Sequence, residues 1–260
     1  MNIFKQFYKS IYSPKDIASF RFQGIGKTIL FVFFLTFISI LPSVVFLSTI
    51  LTTGLETAKN VINDEIPSFT ISEGELTTDS NAPIIIRKDD FSIMIDSTGT
   101  LTQEDVEKEG NAFALLTNQF VLAAGGRTDP YDYAMLEGID ITKEDFVDII
   151  DTIDSLKGII IPVMSLFIYL FSSAASFIEV TVLALFGLAL KNLSGRKLTY
   201  GQLWRMSAYA ETLPTLFFTI MAILKTPVPN SFIINWFVAI IVLYLAIKEV
   251  PKSKQEIPEL

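Results

Sequence analysis

Two glutamates are the residues of this chain best placed to do chemistry, because each lies inside a long apolar stretch. An ionisable side chain within a membrane-spanning helix costs about 2.5–3.5 kcal/mol on insertion scales, so it is seldom kept without a partner or a role. Glu179 and Glu211 are therefore candidate functional residues, together with Ser172 and Ser176, which share the helical face of Glu179. The simpler interpretation, which the pattern favours, is that this face only packs against other helices and that Glu179 pairs with Arg205 or lies near the headgroups.

The composition gives little support to other chemistry. Histidine and cysteine are absent, and no Gly-rich phosphate loop or Gly-x-Ser-x-Gly motif occurs, so the usual general bases, nucleophiles and soft metal ligands are missing. We expect neither catalysis nor a cofactor, and no nucleic-acid partner. Two sets of aspartates could offer oxygens to calcium, namely Asp129, Asp132 and Asp140, or Asp89 and Asp90 with Asp96. Neither set has the EF-hand spacing, so we expect an ordinary acidic surface and no metal site.

The elements that must position the two glutamates are indicated by where the charges fall. Residues 52–157 contain 22 Asp and Glu against 7 Lys and Arg, a net charge of −15, whereas the whole chain carries −8. The rest consists of apolar runs and short basic segments, and such basic segments are typical of the cytoplasmic side of membrane proteins. The predicted fold is an integral membrane, all-α four-helix transmembrane bundle with a small α+β extracytoplasmic domain inserted between helices 1 and 2. Both termini are predicted to be cytoplasmic.

The apolar runs set the boundaries of the predicted segments, because a helix needs about 20 residues to cross the hydrocarbon core. The segments are a cytoplasmic or interfacial N-terminal segment 1–27, transmembrane helix 1 at 28–51, the acidic domain 52–157, a long transmembrane helix 2 at 158–190, a basic cytoplasmic loop 191–205, transmembrane helix 3 at 206–224, an outer turn 225–231, transmembrane helix 4 at 232–247 and a cytoplasmic tail 248–260. The long second run fits one tilted or protruding span better than two short ones. Arg196, Lys197 and Arg205 are the candidate cytoplasmic-loop residues.

Local patterns predict the elements of the acidic domain. Apolar runs broken by turn residues predict one small antiparallel sheet, with strands at 68–71, 83–87, 91–95 and 112–123. Thr142 and Asp145 match a capping box, which predicts a helix leading towards the second span. Tyr131 and Tyr133 could offer aromatic platforms to a sugar, although the domain contains no Trp.

The N-terminal segment has its own pattern. Aromatic residues recur at helical spacing between positions 4 and 22, with lysines between them, which predicts a helix lying in the membrane interface. A specific lipid or partner site is the alternative. The first apolar run is longer than the core of a signal peptide, so we interpret it as an uncleaved anchor.

Two stretches of the chain resemble a known family. One is Phe7-Tyr-Lys-Ser-Ile-Tyr-Ser-Pro-Lys-Asp-Ile-Ala-Ser-Phe-Arg21, before the first span, and the other is Leu198-Thr-Tyr-Gly-Gln-Leu-Trp-Arg-Met-Ser-Ala-Tyr-Ala-Glu-Thr-Leu-Pro-Thr-Leu216, which enters the third. Both resemble the domain-of-unknown-function family 1189, membrane proteins of Gram-positive bacteria, some of which are described as maltodextrin-utilisation proteins. The segment Tyr209-Ala-Glu-Thr-Leu-Pro214 is also similar to part of the Yip1-like membrane superfamily.

The resemblance implies a multi-pass protein of the bacterial cell membrane and transfers no catalytic or ligand-binding residue. The maltodextrin description implies proximity to an ABC importer. Our leading hypothesis is a non-enzymatic accessory or sensor associated with carbohydrate uptake, with the lipid bilayer, importer permease subunits or a second copy of the chain as partners. The alternatives are a membrane-organising scaffold of the Yip1-like type and a small secondary carrier that uses Glu179 and Glu211.

Overall fold

The computed structural model describes residues 1–88, 91–136 and 138–252, and this part of the chain is mostly helical. Asp89 and Asp90 of one possible calcium set, and residues 253–260 of the predicted tail, lie outside the described residues. The helices are α1 Ile3–Tyr12, α2 Pro14–Ser19, α3 Ile25–Asp64, α4 Gln103–Lys108, α5 Lys143–Leu193, α6 Tyr200–Ala210, α7 Thr212–Ile223 and α8 Ser231–Lys248. The strands are β1 Phe69–Ser72, β2 Glu75–Thr78, β3 Ile84–Lys88, β4 Phe91–Ile95, β5 Ala112–Leu115, β6 Gln119–Ala124, β7 Arg127–Asp132 and β8 Ile141–Thr142.

The chain divides into two compact units, and the division falls within α3 and α5. Unit 1 comprises Met1–Ser48 and Ile160–Leu260, and unit 2 comprises Thr49–Ile159. The helical segments long and apolar enough to cross a membrane are Ile25–Asp64, Lys143–Leu193, Tyr200–Ile223 and Ser231–Lys248. Each overlaps one of the apolar runs found in the sequence, which confirms the four long apolar helices.

Two of these helices are longer than the apolar runs that predict them. Helix α3 continues to Asp64, and α5 begins already at Lys143. The start of α5 has a local cause, because the carboxylate of Asp145 accepts hydrogen bonds of 2.7 Å from both the N–H and the hydroxyl of Thr142. This confirms the predicted capping box. Pro42 lies inside α3 without ending it.

The core of unit 1 is built around α6. Leu203, Met206 and Tyr209 of this helix are fully buried, and they pack with apolar side chains of α2, α3, α5 and α8. Helix α5 packs tightly against this core at Gly187, where an added Cβ would lie 3.2 Å from the side chain of Leu203 and 3.3 Å from that of Leu243. Only a glycine fits this position without moving its neighbours.

The N-terminal helices belong to the same core. Ile17, Ala18 and Phe20 are buried among the residues of α6 and α8. Phe4 and Tyr8 of α1, in contrast, are exposed. They are among the aromatic residues that predict a helix in the membrane interface. The segment is therefore two short helices and a single 3-10 turn with one face built into the protein, which the sequence pattern alone does not indicate.

The third apolar segment differs from its prediction at its start and in the middle. Its first helix starts at Tyr200, because Thr199 and Gln202 form a capping box there, so Arg205 lies in α6 and not in the connecting loop as predicted. Helix α6 ends at Ala210 and α7 starts at Thr212, with Glu211 between them. Pro214 accounts for this interruption, since a proline has no N–H to donate to the carbonyl of the residue four positions earlier.

The described residues of unit 2 form two small sheets, so the prediction of one antiparallel sheet is wrong. The first sheet has the strand order β2-β1-β8, and the second has the order β3-β4-β5-β6-β7. The pair β4–β5 is parallel, and the short helix α4 connects the two strands. This connection is missed because α4 has too few residues to show an apolar period. The predicted strand at 112–123 is two strands, β5 and β6, with a turn between them.

Candidate functional site

Glu179 and Glu211 line one cavity of about 460 Å³ within unit 1. Helices α3, α5, α6, α7 and α8 all contribute to its wall. The polar side chains around the two carboxyl groups include Thr36, Ser39, Ser176, Thr215, Thr219 and Asn235. The apolar ones include Val32, Leu35, Val180, Phe218 and Phe232. The fold thus brings together two glutamates that lie on different helices, α5 and the α6–α7 junction.

Glu211 is the most unusual member of the cavity wall. It is 5% exposed, although it carries a carboxyl group. Within the described residues its side chain has no hydrogen bond and no ion pair. The neighbouring hydroxyls of Ser207 and Thr212 are buried and likewise have no partner there. Burying a polar group without a partner is costly, so a carboxyl group at this depth is unusual unless it has a role.

Glu179 is half-buried in α5, one helical turn after Ser176. The hydroxyl of Thr36 in α3 donates a 3.0 Å hydrogen bond to Ser176, which ties α3 to α5 at the cavity wall. The pairing of Glu179 with Arg205 is not found among the described residues. Arg205 instead donates to the carbonyl oxygens of Gly201, at 3.2 Å, and Arg21, at 3.3 Å.

Ser172, Arg196 and Lys197 are not among the residues that line the cavity. Ser172 is half-buried in α5. Arg196 donates a 2.8 Å hydrogen bond to the carbonyl of Lys248, in the last turn of α8, where a cation is favourable. Lys197 is exposed. Arg196 thus has a structural contact, whereas Lys197 and Ser172 acquire no role from the fold.

Tyr209 is the centre of a hydrogen-bond network that the sequence does not predict. The Tyr209 hydroxyl donates to Gln6 at 3.3 Å and accepts a hydrogen bond from Gln23. Gln6 donates to Gln23 at 2.5 Å, and Gln23 donates to Thr28 at 3.1 Å. The network joins α1, the turn before α3 and α6. Lone glutamines in the N-terminal segment give no sequence signal for such a contact, because their partner lies far along the chain.

The candidate residues in unit 2 are less suited to binding a sugar or a metal ion. Tyr133 is 1% exposed and cannot serve as a platform for a sugar, whereas Tyr131 stacks on Phe120 with ring centroids 4.6 Å apart. No group of three or more acidic side chains that could hold a metal ion occurs among the described residues, which include Asp129, Asp132 and Asp140.

The carboxylate of Asp96 has a structural role in unit 2, where it binds backbone N–H groups of a loop. Its carboxylate accepts hydrogen bonds from the N–H groups of Thr98, at 2.8 Å, and Leu101, at 2.6 Å. Burial alone would raise the pKa of Asp96, but these hydrogen bonds outweigh burial and hold the pKa below its usual value. The carboxylate thus fixes the loop that leads from β4 to α4.

These features define a class: a mostly helical protein whose described residues include four helices that could span a membrane, with a small sheet domain between the first two of them in the sequence. A family model described as "Protein of unknown function (DUF1189)" matches residues 4–247, nearly the whole chain. The chain belongs to this family, as its resemblance implies. No curated protein and no solved structure matches it.

Proposed function

We propose that this is a non-enzymatic multi-pass protein of the bacterial cell membrane that acts as an accessory or sensor for carbohydrate uptake. Residues 52–157 face the outside, and both termini face the cytoplasm. The observation that carries the proposal is the acidic sheet domain, with a net charge of −15, placed between the first two apolar helices. The family resemblance suggests a maltodextrin ABC importer as the system that it serves.

The surface of the acidic domain supports a protein partner. Strand β7 is an edge of the five-stranded sheet, and an edge strand offers backbone groups for pairing with another chain. Tyr131 on this strand and Met135 in the following turn are exposed, as is Ile139. Aromatic and methionine side chains are enriched at protein interfaces, so this edge is where we place the contact with a permease subunit.

The orientation can be tested directly, because the chain contains no cysteine. Asn81 in unit 2 and Lys197 after α5 are both exposed. We expect Asn81→Cys to react with a membrane-impermeant maleimide in intact cells and Lys197→Cys to react only after permeabilisation. Labelling of both variants from outside, or of Lys197→Cys alone, would refute the proposed topology.

The partner can be tested by crosslinking in native membranes, followed by purification through a C-terminal tag and mass spectrometry. Recovery of importer permease subunits above a control membrane protein supports the accessory role. Recovery of only the protein itself and lipid rejects that role and favours a Yip1-like scaffold.

A small secondary carrier is a second candidate, favoured by one observation: Glu179 and Glu211 line the same cavity. Ionisable residues inside spans often mark the path of an ion or substrate. If the protein is a carrier, Glu179→Gln and Glu211→Gln should each reduce uptake into proteoliposomes. Unchanged uptake in both variants would count against it.

A further inference from the structure

The cavity of unit 1 has an uncompensated negative character. Both of its ionisable side chains, Glu179 and Glu211, are acidic, and its described lining includes no lysine or arginine. Glu211 is 5% exposed and has no hydrogen-bonding or ion-pairing partner within the described residues. A carboxylate in such surroundings needs a positive charge or a proton nearby.

The hydroxyl groups of the cavity add a second, independent observation. Thr36 donates its hydroxyl hydrogen to Ser176, Ser39 donates to the carbonyl of Thr36 at 2.8 Å, and Thr219 donates to the carbonyl of Thr215 at 2.7 Å. A hydroxyl has one hydrogen to donate, so these three oxygens are left as acceptors. These three oxygens therefore favour a hydrogen-bond donor as the ligand, and a protonated amine is a donor with no acceptor.

The size and the apolar part of the cavity argue for an organic cation over a metal ion. A volume of about 460 Å³ is within the range of small-molecule sites. Calcium takes six to eight oxygen ligands, whereas no group of three or more acidic side chains that could hold a metal ion occurs among the described residues. Phe218 and Phe232 line the cavity, and aromatic rings favour ammonium groups.

We propose that this cavity binds a small organic cation that carries protonated amino groups, held by Glu179 and Glu211 together with the acceptor hydroxyls of Thr36, Ser39 and Thr219. The two carboxylates favour a ligand with two ammonium groups over a ligand with one. The proposal concerns binding alone, so it is independent of an importer and of transport.

Tryptophan fluorescence of the purified full-length protein provides the first test. Trp236 lies 6.3 Å from Phe232, ring centroid to centroid, and Phe232 lines the cavity. Titration at neutral pH would use 1,4-butanediammonium and butylammonium, with neutral 1,4-butanediol as the matched control at equal ionic strength. We expect a saturable change with the dication, a weaker one with the monocation and none with the diol.

Variants connect the signal to the site. Glu179→Gln and Glu211→Gln should each raise the dissociation constant of the dication at least about tenfold, equivalent to about 1.4 kcal/mol. Glu249→Gln removes a carboxylate from an exposed position after α8 and should leave the constant unchanged. Absence of a saturable signal, or equal affinity in Glu211→Gln and the unaltered protein, overturns the proposal.

A second measurement applies even if the glutamine variants do not fold. Ser231 lines the cavity in a chain without cysteine, so Ser231→Cys offers one reactive thiol. We expect 1,4-butanediammonium to slow its modification by a cationic methanethiosulfonate at least threefold, and 1,4-butanediol to have no effect. Equal rates with and without the dication would also overturn the proposal.

Discussion

Replacing Tyr209 with Phe should loosen the attachment of the N-terminal helices to α6. The rings of Phe20 and Phe31 lie 4.6 Å and 4.1 Å from the Tyr209 ring, centroid to centroid, and Phe at this position can keep both contacts. The substitution removes only the hydroxyl, and with it the hydrogen bonds to Gln6 and Gln23. The experiment therefore isolates the polar part of the contact.

The expected magnitude follows from burial. A hydrogen bond contributes about 0.5–1.5 kcal/mol net, and a buried group left without its partner costs about 1–3 kcal/mol. Gln6 is 2% exposed, so water cannot replace the lost hydroxyl. Gln6 keeps its bond to Gln23, and Gln23 keeps its bond to Thr28, which limits the loss. We expect about 2 kcal/mol, or roughly a 30-fold rise in the detached population of the N-terminal segment.

Limited trypsin digestion of the purified protein measures that population, because cleavage after Lys9 or Lys15 requires the segment to open. Tyr169→Phe is the matched control, since the Tyr169 hydroxyl donates to the carbonyl of Phe33 at 3.2 Å, away from the N-terminal helices. We expect faster cleavage in Tyr209→Phe and an unchanged rate in Tyr169→Phe. Equal rates in the two variants would refute the view that the hydroxyl network holds the segment.

Three further predictions concern packing, acid stability and helix initiation. Gly187→Ala should lower the melting temperature by a few degrees, because overpacking against Leu203 and Leu243 costs about 1–3 kcal/mol. Gly158→Ala in the same helix is the control. It has open space around it and should raise the melting temperature. Since the pKa of Asp96 is lowered in the folded state, its contribution to stability is present above its unfolded pKa of about 3.9 and is lost as the pH falls through the folded value. Asp96→Asn should therefore destabilise unit 2 at neutral pH and show a smaller loss on acidification, measured by hydrogen exchange of β4 and β5 after correction for the intrinsic rates. Thr199→Ala should cost about 1 kcal/mol and speed amide exchange in the first turn of α6, because it removes the capping hydroxyl; equal exchange in both proteins would contradict this.

Hydropathy and local capping rules account for what the sequence predicts well. The four apolar helices follow from mostly apolar runs of 16 to 33 residues, because the length of such a run can be read from the sequence itself. The start of α5 follows from Thr142 and Asp145, which are neighbours along the chain. A second capping box, formed by Thr199 and Gln202, starts α6. These two residues are also close in sequence, so the same rule predicts that Arg205 lies in α6.

Features that depend on distant contacts were not predictable in this way. The parallel pairing of β4 with β5 requires a crossover through α4, and the polar sequence of α4 resembles a loop. The burial of Ile17 and Phe20 depends on α6 and α8, which follow at least 180 residues later in the chain. Apolar residues of the N-terminal segment suit a membrane interface and a protein core equally well, so composition alone cannot choose between them.

The cavity of unit 1 could be predicted from the sequence only in part. The sequence identifies Glu179 and Glu211 by the cost of a charge in an apolar run, but it cannot place them in one space or say what balances them. Arg205, six positions before Glu211, is the cation that local reasoning would assign to this task. Its guanidinium instead binds the carbonyls of Gly201 and Arg21, so it serves the junction with the N-terminal segment. That arginine is engaged elsewhere, and the described lining of the cavity contains no basic residue. A ligand or protons are then the sources of positive charge to test, and only a ligand would make Ser231→Cys protection depend on 1,4-butanediammonium.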